Sequence, residues 1–115
     1  MNIQFVCHIN DIPAQGSKGF SLTGTNDESQ QDFFIVNRGN EYFAYQNTCP
    51  LTGASLNWQP DVYLDFDNFY IQCAIHAARF EVETGLCVWG PCVNRSLVKV
   101  PIKIENQKIY LSLKS

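Results

Sequence analysis

Nowhere in this chain do apolar residues recur at helical spacing over any length. Short apolar runs return instead at regular intervals, separated by Gly, Pro, Asn and Asp. That pattern restricts the chain to an all-β sandwich or barrel. Residues 3–9 place Ile3, Phe5, Cys7 and Ile9 on one side of a strand. Asp11-Ile12-Pro13 breaks it, and Gly16 and Gly19 mark turns. Residues 23–31 are polar and read as a long surface loop. A strand at 32–36, a turn at 37–40 rich in Asn and Gly, and a strand at 41–46 form a hairpin. Residues 54–65 have no clear period, and Asp67-Asn68 turns the chain into a strand at 69–72. Residues 79–82 and 86–89 flank the turn Glu83-Thr84-Gly85. Val98, Val100, Ile102 and Ile104 alternate with Lys99, Pro101 and Lys103, a half-buried strand with Pro101 at an edge. Residues 105–108 turn it into a last strand at 109–113.

With 115 residues, 45% of them hydrophobic, the chain suffices for one domain, residues 1–115, with its own core. A net charge of −3 argues against nucleic acid, which asks for a clustered basic surface. A mildly acidic surface suits docking on a basic patch of a protein partner. The first residues carry neither a basic region nor a long apolar run, so neither a signal peptide nor a membrane span is expected. The cytoplasm is then the default. Its reducing conditions favour metal ligation or core packing over disulfides for the five cysteines, an odd number.

Two loops carry the chemistry. One is Cys49-Pro50-Leu51-Thr52-Gly53; the other is Cys73-Ala74-Ile75-His76-Ala77-Ala78-Arg79-Phe80. The stretch Gly85-Leu86-Cys87-Val88-Trp89-Gly90-Pro91-Cys92 follows and is placed to close over them. Structural zinc asks for four Cys or His ligands in paired knuckles, yet Cys73 with His76 is the one close pair, and Cys87 and Cys92 are loosely spaced. A mixed iron–sulfur centre, with thiolates on one iron and imidazoles on the other, matches better. Plainer readings stand beside these. Cys49 is also a turn residue before Pro50, Cys73 and His76 also serve as core filler, and Cys7 and Cys87 fit the cores of their strands. His8 belongs on an outer face, and Trp58 and Trp89 belong to packing. Arg79 pairs with Glu81 or a loop carbonyl. Asp61, Asp65 and Asp67 lack the glycine and closing glutamate of a calcium loop and read as solvated turns. Two histidines without local Ser or Asp support exclude a hydrolytic triad. A Cys49–His76 nucleophile pair is the remaining catalytic reading.

Cys49-Pro50-Leu51-Thr52-Gly53, residues 70–80, Gly85 and Gly90-Pro91-Cys92 together resemble the Rieske family. The chain is similar to its small soluble ferredoxins, including dioxygenase ferredoxins and nitrite reductase small subunits. The resemblance implies a β-sandwich with an inserted cluster-binding subdomain at about 47–93. It also implies a [2Fe–2S] cluster on Cys49, Cys73 and His76, with no catalysis by the chain itself. The family's first loop reads Cys-x-His, and Leu51 stands in the histidine position. Three outcomes follow: a substitute ligand, Cys92 first and Cys87 next; a cluster with water on the open position; or an empty site. With a cluster, Pro91 excludes water, loop N–H groups point at the sulfides, and His76 lies near the surface on the electron exit path. The implied function is one-electron transfer, as a soluble ferredoxin or a small oxidoreductase subunit, between a flavin reductase and a terminal oxygenase or reductase. A cluster-free binding or regulatory module on the same fold is the alternative.

Overall fold

The computed structural model describes residues 2–23, 30–50, 53–57, 61–65, 67–74 and 77–113. Leu51, His76 and Trp58, and most of the polar loop expected at 23–31, lie outside the described residues. Among the described residues the chain is almost entirely strand, with one 3-10 turn at Ile9–Asp11. The strands are β1 (Asn2–His8), β2 (Gly16–Thr23), β3 (Gln30–Arg38), β4 (Glu41–Gln46), β5 (Ile71–Gln72), β6 (Arg79–Phe80), β7 (Cys87–Trp89), β8 (Ile102–Glu105) and β9 (Lys108–Leu113). They form three antiparallel three-stranded sheets in the orders β1-β9-β8, β2-β3-β4 and β5-β6-β7.

The middle layer is the β2-β3-β4 sheet, and strand β3 explains why. Phe33-Phe34-Ile35-Val36 is an unbroken apolar run, and all four residues are buried. Successive side chains of a strand point to opposite faces, so such a run needs cover on both. Phe33 and Ile35 join Cys7, Ile12, Ala44, Ile109 and Leu111 in one core, against the β1-β9-β8 sheet. Phe34 and Val36 join a second core with Tyr45, Leu56, Ile71, Phe80 and four cysteines. Each fully buried large apolar side chain contributes about 1.5–3 kcal/mol relative to exposure. Strand β3 thus anchors both halves of the molecule.

Several local expectations change. Gly16 closes a turn, its N–H donating to Pro13 O at 3.0 Å as β2 begins, but Gly19 does not mark one; it lies inside β2, paired with Phe34. The Gly19 position is set by close approach, since a Cβ there would run into the Tyr63 hydroxyl. The side-chain alternation expected for residues 3–9 fails at its middle. The pairing of β1 with β9 shifts register between Phe5 and Cys7, which turns Phe5 out to 48% exposure while Cys7 stays buried. The first hairpin turn is tighter than expected. Arg38 pairs with Glu41, and Gly39 and Asn40, both at positive φ, make a two-residue turn. Pro101 does lie beside an edge, because β8 is an outer strand of its sheet.

Candidate metal centre

Cys49 and Cys73 each open a turn of the same design. In the first, the Cys49 N–H donates to the Ala54 carbonyl at 2.7 Å, and the Gly53 N–H donates back to the Cys49 carbonyl at 2.8 Å. In the second, Cys73 N–H reaches Ala78 O at 2.9 Å and Ala77 N–H reaches Cys73 O at 2.8 Å. The fifth residue of each turn is left-handed, Gly53 at φ 80° and Ala77 at φ 57°. Glycine takes that conformation freely, whereas alanine is strained in it by about 1–2 kcal/mol. A third turn repeats the bonding without a cysteine: Glu81 N–H to Leu86 O at 2.9 Å and Gly85 N–H to Glu81 O at 2.8 Å, with Gly85 at φ 77°. The shared signal was present in the sequence, because Thr-Gly ends both 49–53 and 81–85.

The turns are tied to one another. Ala74 N–H donates to Leu56 O at 2.8 Å, which joins the second loop to the end of the first. Asn47, buried just ahead of Cys49, accepts from Leu56 N–H at 2.7 Å and donates to Asn57 Oδ1 at 2.9 Å. Tyr45 donates its hydroxyl to Val82 O at 2.6 Å, which fixes the third turn to β4. Asn47 and Tyr45 were not singled out from sequence; each reads there as an ordinary strand-end or core residue.

The stretch 85–97 lies over these loops. Gly90 has φ 103°, and a Cβ there would come within 2.8 Å of the Ala78 Cα, so the Gly-Pro turn sits directly on the end of the Cys73 loop. Pro91 is exposed and Cys92 beneath it is 0% exposed. Arg95 donates to Pro50 O at 3.0 Å, binding this stretch to the first loop as well.

Cys49, Cys73, Cys87 and Cys92 are all buried and share one core. Burial first, then the neighbouring Cys49, pushes the Cys92 thiol up to about 11. The structure therefore places Cys49, Cys73, Cys87 and Cys92 in one core, while His76 lies outside the described residues. Cys87 directs its Sγ at the Trp89 carbonyl at 3.3 Å. Cys7 sits in the other core, raised to about 11 by burial first and Asp11 next, as an inert thiol. Among the described residues no three Cys, His, Asp or Glu side chains are grouped to hold one metal ion. A diiron centre asks less of any one point, since its donors are shared between two irons. Two buried thiols at matching positions of matching turns fit the thiolate half of such a centre.

Two neighbouring expectations are corrected. Arg79 stacks its guanidinium over the Trp89 ring, 5.5 Å from its centroid, and Trp89 is 56% exposed rather than packed. Asp65 is not a solvated turn residue; it is buried and accepts the Phe69 and Tyr70 N–H groups at 2.9 and 3.2 Å. Asp61 and Asp67 are exposed, and His8 is on the outside as expected.

Comparison with known proteins agrees with this geometry. The family model described as Rieske [2Fe-2S] domain matches residues 2–108. The 3-phenylpropionate/cinnamic acid dioxygenase ferredoxin subunit of Photorhabdus laumondii is 26% identical over 113 residues, covering 98% of this chain and 96% of that one. Among solved structures, the ferredoxin of carbazole 1,9a-dioxygenase from Nocardioides aromaticivorans superposes with a TM-score of 0.76 at 20% identity, over 99% of this chain and 100% of that one. A complex of reduced oxygenase and oxidized ferredoxin in carbazole 1,9a-dioxygenase gives a TM-score of 0.71 at 20% identity, over 96% of this chain and 92% of the matched one.

Proposed function

The chain belongs to the Rieske [2Fe–2S] domain family, and from that premise we propose that it is a one-electron carrier serving an oxygenase or a related reductase. The observation that carries this reading is the pair of matching turns that present Cys49 and Cys73 as buried thiols. Likeness to dioxygenase ferredoxin subunits over nearly the whole chain supports it. When bound, a [2Fe–2S] cluster supplies the one-electron redox chemistry. The chain's own residues do the rest. Cys49 and Cys73 hold thiolates in a pocket closed by the 90–92 turn, and burial keeps water from the sulfurs. His76 follows Cys73 by three positions and supplies an imidazole from the same loop. Residues 47–93 act as the cluster-binding part of one domain.

The redox partners on this reading are a flavin reductase upstream and a terminal oxygenase or reductase downstream. Among the described residues no helix is long and apolar enough to cross a membrane. Five cysteines, an odd number, fit the reducing cytoplasm, which we assign as the compartment. Anaerobic purification followed by iron, acid-labile sulfide and visible absorption measurements tests the proposal. Iron and sulfide in equal amounts, with a bleachable visible spectrum, are expected. A colourless, iron-free protein after reconstitution leaves the fold as a binding module and removes electron transfer.

A further inference from the structure

We propose that the cleft between β2 and the segment around the first cysteine loop is a docking site for a lysine or arginine side chain of a partner protein. The cleft has a volume of about 390 Å³, and its lining includes Gly19, Asp32, Asn47, Asn57, Asp61 and Tyr63. No cysteine and no cationic side chain lines it, so it is a site apart from the metal centre. Two exposed carboxylates are fixed there. Asp61 Oδ1 accepts the Gly19 N–H at 2.8 Å, and the Asp61 carbonyl accepts the Ser17 hydroxyl at 2.9 Å. Asp32 Oδ1 accepts the Ser21 hydroxyl at 2.8 Å, and the Asp32 carbonyl accepts the Asn47 N–H at 2.9 Å. Each carboxylate keeps acceptor capacity beyond its one bond. Among the described residues neither forms an ion pair. Acidic side chains by themselves make only a solvated surface, and Tyr63 adds the second observation. It is 5% exposed, stacked on Phe34, and its hydroxyl lies against Gly19 at the wall of the cleft. Among the described residues no hydrogen bond engages that hydroxyl. A hydroxyl so nearly buried is costly without a partner, which points to a polar group entering the cleft from outside. Burial first, then Asp61 and Asp32, raises this phenol to about 12, so both carboxylates act on the space it faces. Carboxylate and phenol oxygens without a cation select an ammonium or guanidinium group. A side chain rather than a metal ion is the occupant, since among the described residues no three acidic, Cys or His groups converge on one point. The net charge of −3 complements a partner that carries it. Asn47, held by Asp32, stands two positions before Cys49, so a partner seated here is brought against the first cysteine loop.

The test titrates the isotope-labelled full chain with N-acetyl-arginine methylamide and N-acetyl-lysine methylamide, and follows amide resonances. N-acetyl-norleucine methylamide is the neutral control. Saturable shifts at Gly19, Ser21 and Asp61 are expected from the two cationic probes alone. Asp61→Asn and Asp32→Asn keep an acceptor oxygen for the Gly19 N–H and the Ser21 hydroxyl, so they remove charge and leave the fold. Each is expected to weaken binding about threefold or more, while Asp67→Asn, outside the cleft, changes nothing. Tyr63→Phe loses no internal hydrogen bond, so it should keep wild-type stability and still bind the probes about twofold more weakly. The protein arm uses cytochrome c, a lysine-rich protein, and a carbodiimide that joins carboxylates to amines in contact. Peptide mapping is expected to find the links at Asp32 or Asp61. Absence of saturable shifts at the cleft, equal affinity in the asparagine variants, or links confined to Asp67 and Glu105 overturns the proposal. Neither readout involves electron transfer. An iron-free chain that binds the probes therefore removes the electron-carrier reading and leaves the cleft, and an iron-loaded chain that does not bind them does the reverse.

Discussion

Tyr45 shows how much one side chain does for this site. Its ring is 1% exposed, its hydroxyl donates to Val82 O, and its Cε1 lies where a Cβ on Gly85 would come within 2.7 Å. Tyr45→Phe keeps the ring and leaves a buried carbonyl unpaired, so a loss of about 1–2 kcal/mol is expected in urea unfolding. Burial first, then Glu83 and Glu81, pushes Tyr45 up to about 12. Tyr63 reaches about 12 by burial first, then Asp61 and Asp32. Both phenols therefore keep their protons in the folded chain at pH values where the unfolded chain, near 10, has released them. Protons bound by the native state but not the unfolded one make stability fall as pH rises, here between about pH 10 and 12. Tyr45→Phe should make that alkaline decline shallower than in the wild type; an equal slope would mean that Tyr45 titrates alike in both states.

At the scale of elements, the hairpin β3–β4 is tied to the loop-bearing half by Arg38. Its guanidinium donates to Asn68 O at 3.0 Å and to Phe69 O, stacks 5.0 Å from the Phe69 ring centroid, and reaches Glu83 at 3.5 Å. Glu83 is half exposed, so the ion pair itself adds little. The carbonyl bonds and the ring contact carry more. Arg38→Ala should cost about 1–2 kcal/mol in urea unfolding, and Arg38→Lys should recover less than half, because an ammonium lacks the planar fork. Recovery to wild-type stability by lysine would show that charge alone matters. Strand β3 was legible as a strand because four apolar residues stand in a row, but its length was not. The expected strand ended at residue 36, whereas pairing with β2 carries it to Asn37 and pairing with β4 to Arg38. Backbone pairing extends a strand through polar residues that pattern alone leaves out.

The whole molecule carries a net charge of −3, so on the proposed electron-carrier reading it meets redox partners on basic surfaces. The second-order rate of electron transfer to a partner oxygenase should fall several-fold as ionic strength rises from about 0.02 to 0.2 M, since screening shortens electrostatic steering. A rate insensitive to salt in stopped-flow measurements would place recognition in apolar contacts instead.

The amino-acid sequence by itself determined the all-β class, most of the strands, and the two cysteine loops, because alternation, turn residues and Cys-x-x-His spacing are local patterns. Tertiary structure alone decided which cysteines belong together. Cys92 shares a core with Cys49 across 43 positions of sequence, in a stretch whose Gly90, lacking a Cβ, lets one turn lie on another, and no local pattern encodes that approach. The same holds for Asp65, Trp89 and Phe5, whose exposure follows from a buried turn, a guanidinium stacked on a ring and a register shift. Burial belongs to the assembled surface, so it is settled only when distant segments pack.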